Sequence, residues 1–175
     1  MRKPVLILLR HAMPAADSAA EPSTWPLSAA GSAAAAALAP LLPPGAGLVS
    51  SNEPKAVQTL RAAAGGRSVP TDPRLREVDR PPEAWSADFR LARRAYVEGR
   101  VPAGWEPPAA VAERMDAAIA AHRRAGDALV VAGHGMAFTV WLASHGLIDD
   151  PGAFWAALRL PDLFAVDDAA VRRLG

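Results

Sequence analysis

The sequence predicts an α/β fold with a mostly parallel sheet. Three observations lead there. Short apolar runs alternate with segments of helical length. Within the runs apolar residues are consecutive, as in strands buried on both faces. Polar residues able to do chemistry follow three of the runs, where ligands gather in open α/β sheets. The chain has 175 residues, 51% of them hydrophobic and 21% charged, which suits one domain with a real core over residues 1–175.

The first strand is expected over residues 5–9, a second over 48–51 and a third over 128–132, with weaker signals near 163–166 and 170–174. Ser28 is an N-cap for an alanine-rich helix reaching Leu42, where Pro43, Pro44 and Gly45 stop it. Pro54 suits the first turn of a helix that Gly65 and Gly66 close. Further helices are expected over 87–97, 108–124 and 136–145, with a short one over 153–158. The proline-rich stretches 40–45, 70–82 and 102–108 are short enough to be surface connections.

Lys+Arg and Asp+Glu nearly cancel, 19 against 18, so no global basic field recruits nucleic acid or an anionic membrane. With no cysteine, disulfides, thiolate zinc sites and cysteine nucleophiles are excluded. The run at 5–9 is too short for a signal peptide, and no stretch is suited to span a bilayer, so a soluble, cytoplasmic protein is expected. Oligomeric state is not readable, since alanine-rich helix faces pack equally within a chain or against a second one.

Arg10 and His11 follow the first strand, Ser50 and Ser51 end the second and lead to Lys55, and Gly133, His134 and Gly135 follow the third. If these strands are parallel neighbours, Arg10, His11, Lys55 and His134 converge on one pocket. Arginine offers a fork of donors matched to phosphate oxygens, and lysine a mobile point charge. A neutral imidazole among such cations attacks phosphorus through one nitrogen while the other is held by an acceptor. The cations offset the transferring charge without a metal. An acid must protonate the leaving oxygen; Glu77 is the first candidate and Asp79 the second. A bound phosphate dianion would raise the carboxyl's pKa and help it hold that proton.

The segment Leu8-Leu9-Arg10-His11-Ala12-Met13-Pro14 resembles the Arg-His-Gly signature of the histidine phosphatase superfamily, the phosphoglycerate mutase-like enzymes. Three further segments resemble that family's motifs in its order: Pro26-Leu27-Ser28-Ala29-Ala30-Gly31, the stretch from Ser50 to Thr59, and Val131-Ala132-Gly133-His134-Gly135. The resemblance spans nearly the whole chain. It implies a three-layer α/β/α sandwich and a phosphohistidine intermediate. His11 is then the nucleophile, Arg10, Lys55 and His134 bind the phosphoryl group, and Glu77 is the proton donor. The implied partner is a small phosphorylated substrate, with no cofactor and no metal. The family also places the loops of Trp25, Trp85 and Trp105 around the pocket mouth.

The chain departs from the pattern in places. Ala12 replaces a glycine, Lys55 an arginine and Asp17 an asparagine. Pro14 stands where a hydroxyl residue is frequent, and the glycine after the Leu-x-Glu segment is missing. An alanine is costly where φ is positive, and a lysine loses the bidentate fork. A phosphomonoester phosphatase is the leading expectation. Mutase-type phosphoryl transfer is an alternative, although the short segment between Glu77 and His134 leaves little room for a lid. A weakened phosphate-binding protein is another. A metal-dependent hydrolase using His11, His134 and Asp17 or Glu77 is the fourth, with Arg10 and Lys55 awkward beside a cation.

Overall fold

The computed structural model describes residues 5–83 and 88–175. Its sheet has five strands: β1 (Leu6–Arg10), β2 (Gly47–Ser50), β3 (Leu129–Gly133), β4 (Asp162–Val166) and β5 (Val171–Arg173). Their spatial order is β2-β3-β1-β4-β5. The pairs β2–β3 and β1–β3 are parallel, whereas β4 runs antiparallel to both β1 and β5. The sheet is therefore parallel where the first three expected strands meet, with an antiparallel edge. β1 and β3 bury nearly every side chain, which is why their sequences are continuously apolar.

Alternate residues of each strand feed two cores. Leu6, Leu8, Val49, Leu129, Val131 and Val166 face one side. There they meet α3 (Phe89–Val97), α4 (Pro108–His122) and α5 (Gly135–Ser144). The short α6 (Pro151–Ala156) packs outside α3 and α5. Ile7, Leu9, Leu48, Val130, Ala132 and Leu163 face the other side, covered by α2 (Pro54–Ala63). Against α2 packs α1 (Ala29–Ala36). The result is the α/β/α layering expected above. Trp141 is buried in the first core and Trp155 packs at its margin.

Two helices differ from expectation. Ser28 caps α1 as foreseen, its side chain accepting from Gly31 N, but the helix ends at Ala36 rather than Leu42, followed by a 3-10 turn at Ala39–Leu41. Continuing it would put Pro40, which has no N–H, opposite the Ala36 carbonyl. The last helix begins at Pro151, because Asp150 accepts from Ala153 N and Pro151 starts the turn. The expected helix over 87–97 is described from Phe89 on, and Ala87 lies outside the described residues, as does Trp85.

Candidate active site

Register brings the site together. Arg10 pairs with Gly133 across the parallel β1–β3 ladder, so the residues that follow, His11 and His134, leave the sheet side by side. The His11 amide donates to Gly133 O at 3.0 Å, and the two imidazole rings lie 5.3 Å apart, centre to centre. Ser50 pairs with Ala132 on the other side of β3, which carries Ser51 to His134. Ser51 Oγ lies 2.8 Å from His134 Nε2 and accepts from the Glu53 amide. With that amide as donor, the hydroxyl is free to donate to Nε2, leaving the His134 proton on Nδ1.

His11 Nδ1 lies 2.8 Å from Ala12 O, so it is the protonated nitrogen and Nε2 is left as nucleophile. Both rings are buried, and both pKa values are lowered to about 3. Burial is the main cause for each; His134, Lys55 and Arg10 add to it at His11, while Glu77 partly opposes it at His134. Both imidazoles are therefore neutral at neutral pH, as a nucleophile requires.

Two buried donors of the site, Arg10 Nε and His134 Nδ1, have no partner among the described residues. Arg10 spends NH1 on Arg159 O and lies against the backbone of Gly135, where a Cβ would stand 3.0 Å from Nε. Burial lowers its pKa, while Glu77 and Asp162 pull it back up.

Lys55 is buried on the first turn of α2. Its ammonium donates to Glu53 Oε2 at 2.7 Å and to Pro22 O. Glu77 is held at the N-terminus of α5. Its Oε1 accepts from the amides of Val78 and Ala137 at 2.9 and 2.8 Å, and Oε2 from Met136 at 3.2 Å. Burial acts to raise its pKa, but His134, Arg80 and these amides outweigh burial and hold the carboxyl at about 2. The amides at the N-terminus of α5 thus stabilise the carboxylate, so the raised value expected for a proton donor requires the charge of a bound phosphate beside it.

The motif segments explain themselves as struts. Ser28 Oγ donates to Met13 O, and a Cβ on Gly31 would overlap that same oxygen. Gln58 accepts from Leu27 N, and Thr59 Oγ1 from Ala12 N. Ala12 is fully buried with a negative φ, so its methyl carries no backbone strain. Asp17 is exposed and accepts from Ala19 N within its own turn. Trp25 ties down that turn through Asp17 O and Ala20 O, while Trp105 stacks on Tyr96 beneath Arg80. His122 pairs with Asp72, and His145 with Asp116, both away from the site. Among the described residues no His, Asp and Glu trio is arranged to hold a metal ion.

Sequence reasoning missed Glu53. Beside Pro54 it reads as an ordinary acid at a helix start, and its inward turn is a tertiary fact.

The sequence profile of the histidine phosphatase superfamily (branch 1) matches residues 6–162. The chain belongs to the histidine phosphatase superfamily. Phosphatase or phosphoryl-transfer chemistry follows at the level of that family. The sequence has no match among curated proteins. Among solved structures, this histidine phosphatase is similar to the Thermus thermophilus protein TTHB049, with 25% identity and a TM-score of 0.71 over 98% of this chain and 99% of that one. It also resembles a mycobacterial glucosyl-3-phosphoglycerate phosphatase. The VO3 complex gives 21% identity and a TM-score of 0.72 over 97% of each chain. The complex with inorganic phosphate gives 22% and 0.72 over 98% of this chain and 96% of that one. At that identity the mycobacterial likeness is one of fold. Among the described residues no helix is long and apolar enough to cross a membrane.

Proposed function

We propose that this chain hydrolyses small phosphate monoesters through a phosphohistidine on His11, without a metal, as a single cytoplasmic domain. The observation that carries the reading is the pair of buried donors without a partner among the described residues, Arg10 Nε and His134 Nδ1, beside a neutral His11 whose Nε2 is left for attack. Buried polar groups without partners call for an explanation, and an oxyanion between them supplies one.

In the first step His11 Nε2 bonds to phosphorus as the bond to the ester oxygen breaks. Arg10, Lys55 and His134 hold the phosphoryl oxygens, and the Glu77 carboxyl gives its proton to the departing alkoxide. In the second, water attacks the phosphohistidine, Glu77 takes the water's proton, and His11 leaves neutral as phosphate is released. The proton on Glu77 arrives with the substrate. A phosphate dianion placed against the carboxylate raises its pKa by like-charge repulsion, so the proton comes from the monoanionic ester or from solvent.

The test is brief exposure to labelled aryl phosphate, followed by a search for acid-labile, alkali-stable phosphate at residue 11. His11→Ala is expected to abolish both the label and turnover. Wild-type turnover in that variant would sink the reading.

A second reading is favoured by one contact. Lys55 is paired with Glu53 at 2.7 Å, which leaves less of its charge to offset the transferring phosphoryl group and suits a protein that holds phosphate esters chiefly through Arg10 and His134 and turns them over slowly. Binding across a panel of esters without hydrolysis of any would decide for it.

A further inference from the structure

The two chemical steps leave unused a buried acid that contacts the groups assigned to them. Glu53 precedes Pro54 at the start of α2, where an acidic side chain ordinarily serves the helix N-terminus. It does not: its carboxylate makes no capping hydrogen bond and turns inward, with the residue 8% exposed. One oxygen, Oε2, accepts from Lys55 Nζ at 2.7 Å. The other, Oε1, accepts from the backbone amide of Glu77 at 3.0 Å and lies 3.4 Å from His134 Nε2. A single side chain thus touches three of the groups assigned to the reaction.

We propose that Glu53 is a positioning residue that ties the phosphate-binding cation, Lys55, to the backbone from which the acid, Glu77, is presented. The proposal rests on the phosphohistidine reading above and deepens it. Lysine is a point charge on a flexible four-carbon stem, without the preorganised fork of arginine. A lysine serving a phosphate site therefore needs an external hold, and Oε2 supplies it. Oε1 meanwhile fixes the start of the Glu77 segment, whose carboxyl must face the leaving oxygen. A carboxylate this near an oxyanion site also repels the anion. A neutral residue would fill the same space without that repulsion, so the charge is accounted for by its grip on the ammonium.

The two halves have separate readouts, neither of which a purely structural residue would move. For the Lys55 half, the probe is inhibition by orthovanadate in a double-mutant cycle. Glu53→Gln keeps the size and can still accept the Glu77 amide, but loses the grip on Lys55. Its effect on the inhibition constant is expected to differ at least about tenfold between the wild type and Lys55→Met, because in the latter Glu53 is a bare carboxylate with no ammonium to hold. Equal effects in the two backgrounds overturn this half. For the Glu77 half, Glu53→Leu removes the amide's acceptor. Its loss of kcat is expected to be about tenfold larger for an alkyl phosphate than for an activated aryl phosphate, since only the former needs the proton. Equal losses overturn this half.

If Glu53→Leu does not fold, Glu53→Ala, which also removes the acceptor but adds no branched bulk, carries the Glu77 half with the same two substrates, while Glu53→Gln carries the Lys55 half. Absence of labelled phosphohistidine in the wild type would instead remove the underlying reading, so the two failures are distinguishable.

Discussion

Gly135 leaves open the space that Arg10 occupies. A Cβ there would sit 3.0 Å from Arg10 Nε and 3.2 Å from Cζ, both on the movable end of a side chain. Gly135→Ala should therefore displace the guanidinium without disturbing the fold. The expected result is a rise of about tenfold or more in KM for phosphate esters, the cost of roughly one charge-assisted hydrogen bond. The melting temperature should move by no more than about 2 °C, the equivalent of some 0.5–1 kcal/mol for a chain of this size. A large drop in melting temperature with KM unchanged would contradict it. This is also the scale at which sequence reasoning succeeded and failed most clearly. Arg10, His11 and His134 were legible because each follows an apolar run directly, and strand ends collect ligands in this fold class. Glu77 was legible as the first candidate for the acid, ahead of Asp79, but its low pKa was not, since the amides that hold it come partly from a helix far along the chain. Glu53 was not legible at all. Its amide partner at Glu77 lies 24 positions away, and nothing local distinguishes it from a solvent-facing acid.

Elements were easier to read than their ends. The strands β1 and β3 announced themselves because burial on both faces leaves no room for a polar residue. The weak signals at 163–166 and 170–174 mark β4 and the three-residue edge strand β5, whose burial is incomplete. The alanine run of α1 gave a helix but no stop, and the stop came from Pro40, already inside the expected span. Besides its packing on α2, α1 is positioned by one close backbone approach. Gly31 sits against the Met13 carbonyl, and a Cβ would overlap that oxygen, backbone against backbone. Neither side can yield as a side chain would. Gly31→Ala should push α1 off the segment that follows His11, costing about 1–3 kcal/mol as overpacking does. That corresponds to a fall of roughly 3–10 °C in melting temperature, measurable by calorimetry. It should also break the Ser28 Oγ to Met13 O hydrogen bond, so activity should fall in the surviving folded fraction. An unchanged melting temperature would show that α1 is free to shift.

At the scale of the whole molecule, the active site sets how stability depends on pH. Burial lowers the His11 and His134 pKa values to about 3, from an ordinary 6.5. Glu77 and Asp72 are held at about 2, below ordinary values of 4.5 and 3.8. Burial raises Glu77, but His134, Arg80 and amides lower it more; Asp72 is lowered chiefly by its hydrogen bond to Arg74. All four shifts have one sign: the folded chain binds fewer protons than the unfolded one. Stability therefore falls as pH falls. For the histidines the loss begins near pH 6.5, where the unfolded rings start to protonate, and continues toward the folded value of about 3. The carboxylates add to it only below about pH 4.5, where unfolded Glu77 protonates. Each histidine contributes up to about 1.4 kcal/mol per pH unit at full slope, so the pair gives about 3 kcal/mol per unit. That is a large part of a typical stability of 5–15 kcal/mol. Melting temperature should accordingly hold steady above about pH 7 and drop by roughly 5–10 °C per unit below pH 6. His134→Gln and His11→Asn should each reduce that slope by about half, whatever they do to the absolute melting temperature. A flat profile between pH 7 and 5 would mean that the folded rings take up protons over the same range as the unfolded ones, so that burial does not lower their pKa. A protonated His11 has no lone pair on Nε2 with which to attack phosphorus, so with rings that titrate near 6.5 turnover should fall off below about pH 6.5, whereas rings held at about 3 keep the nucleophile neutral across that range.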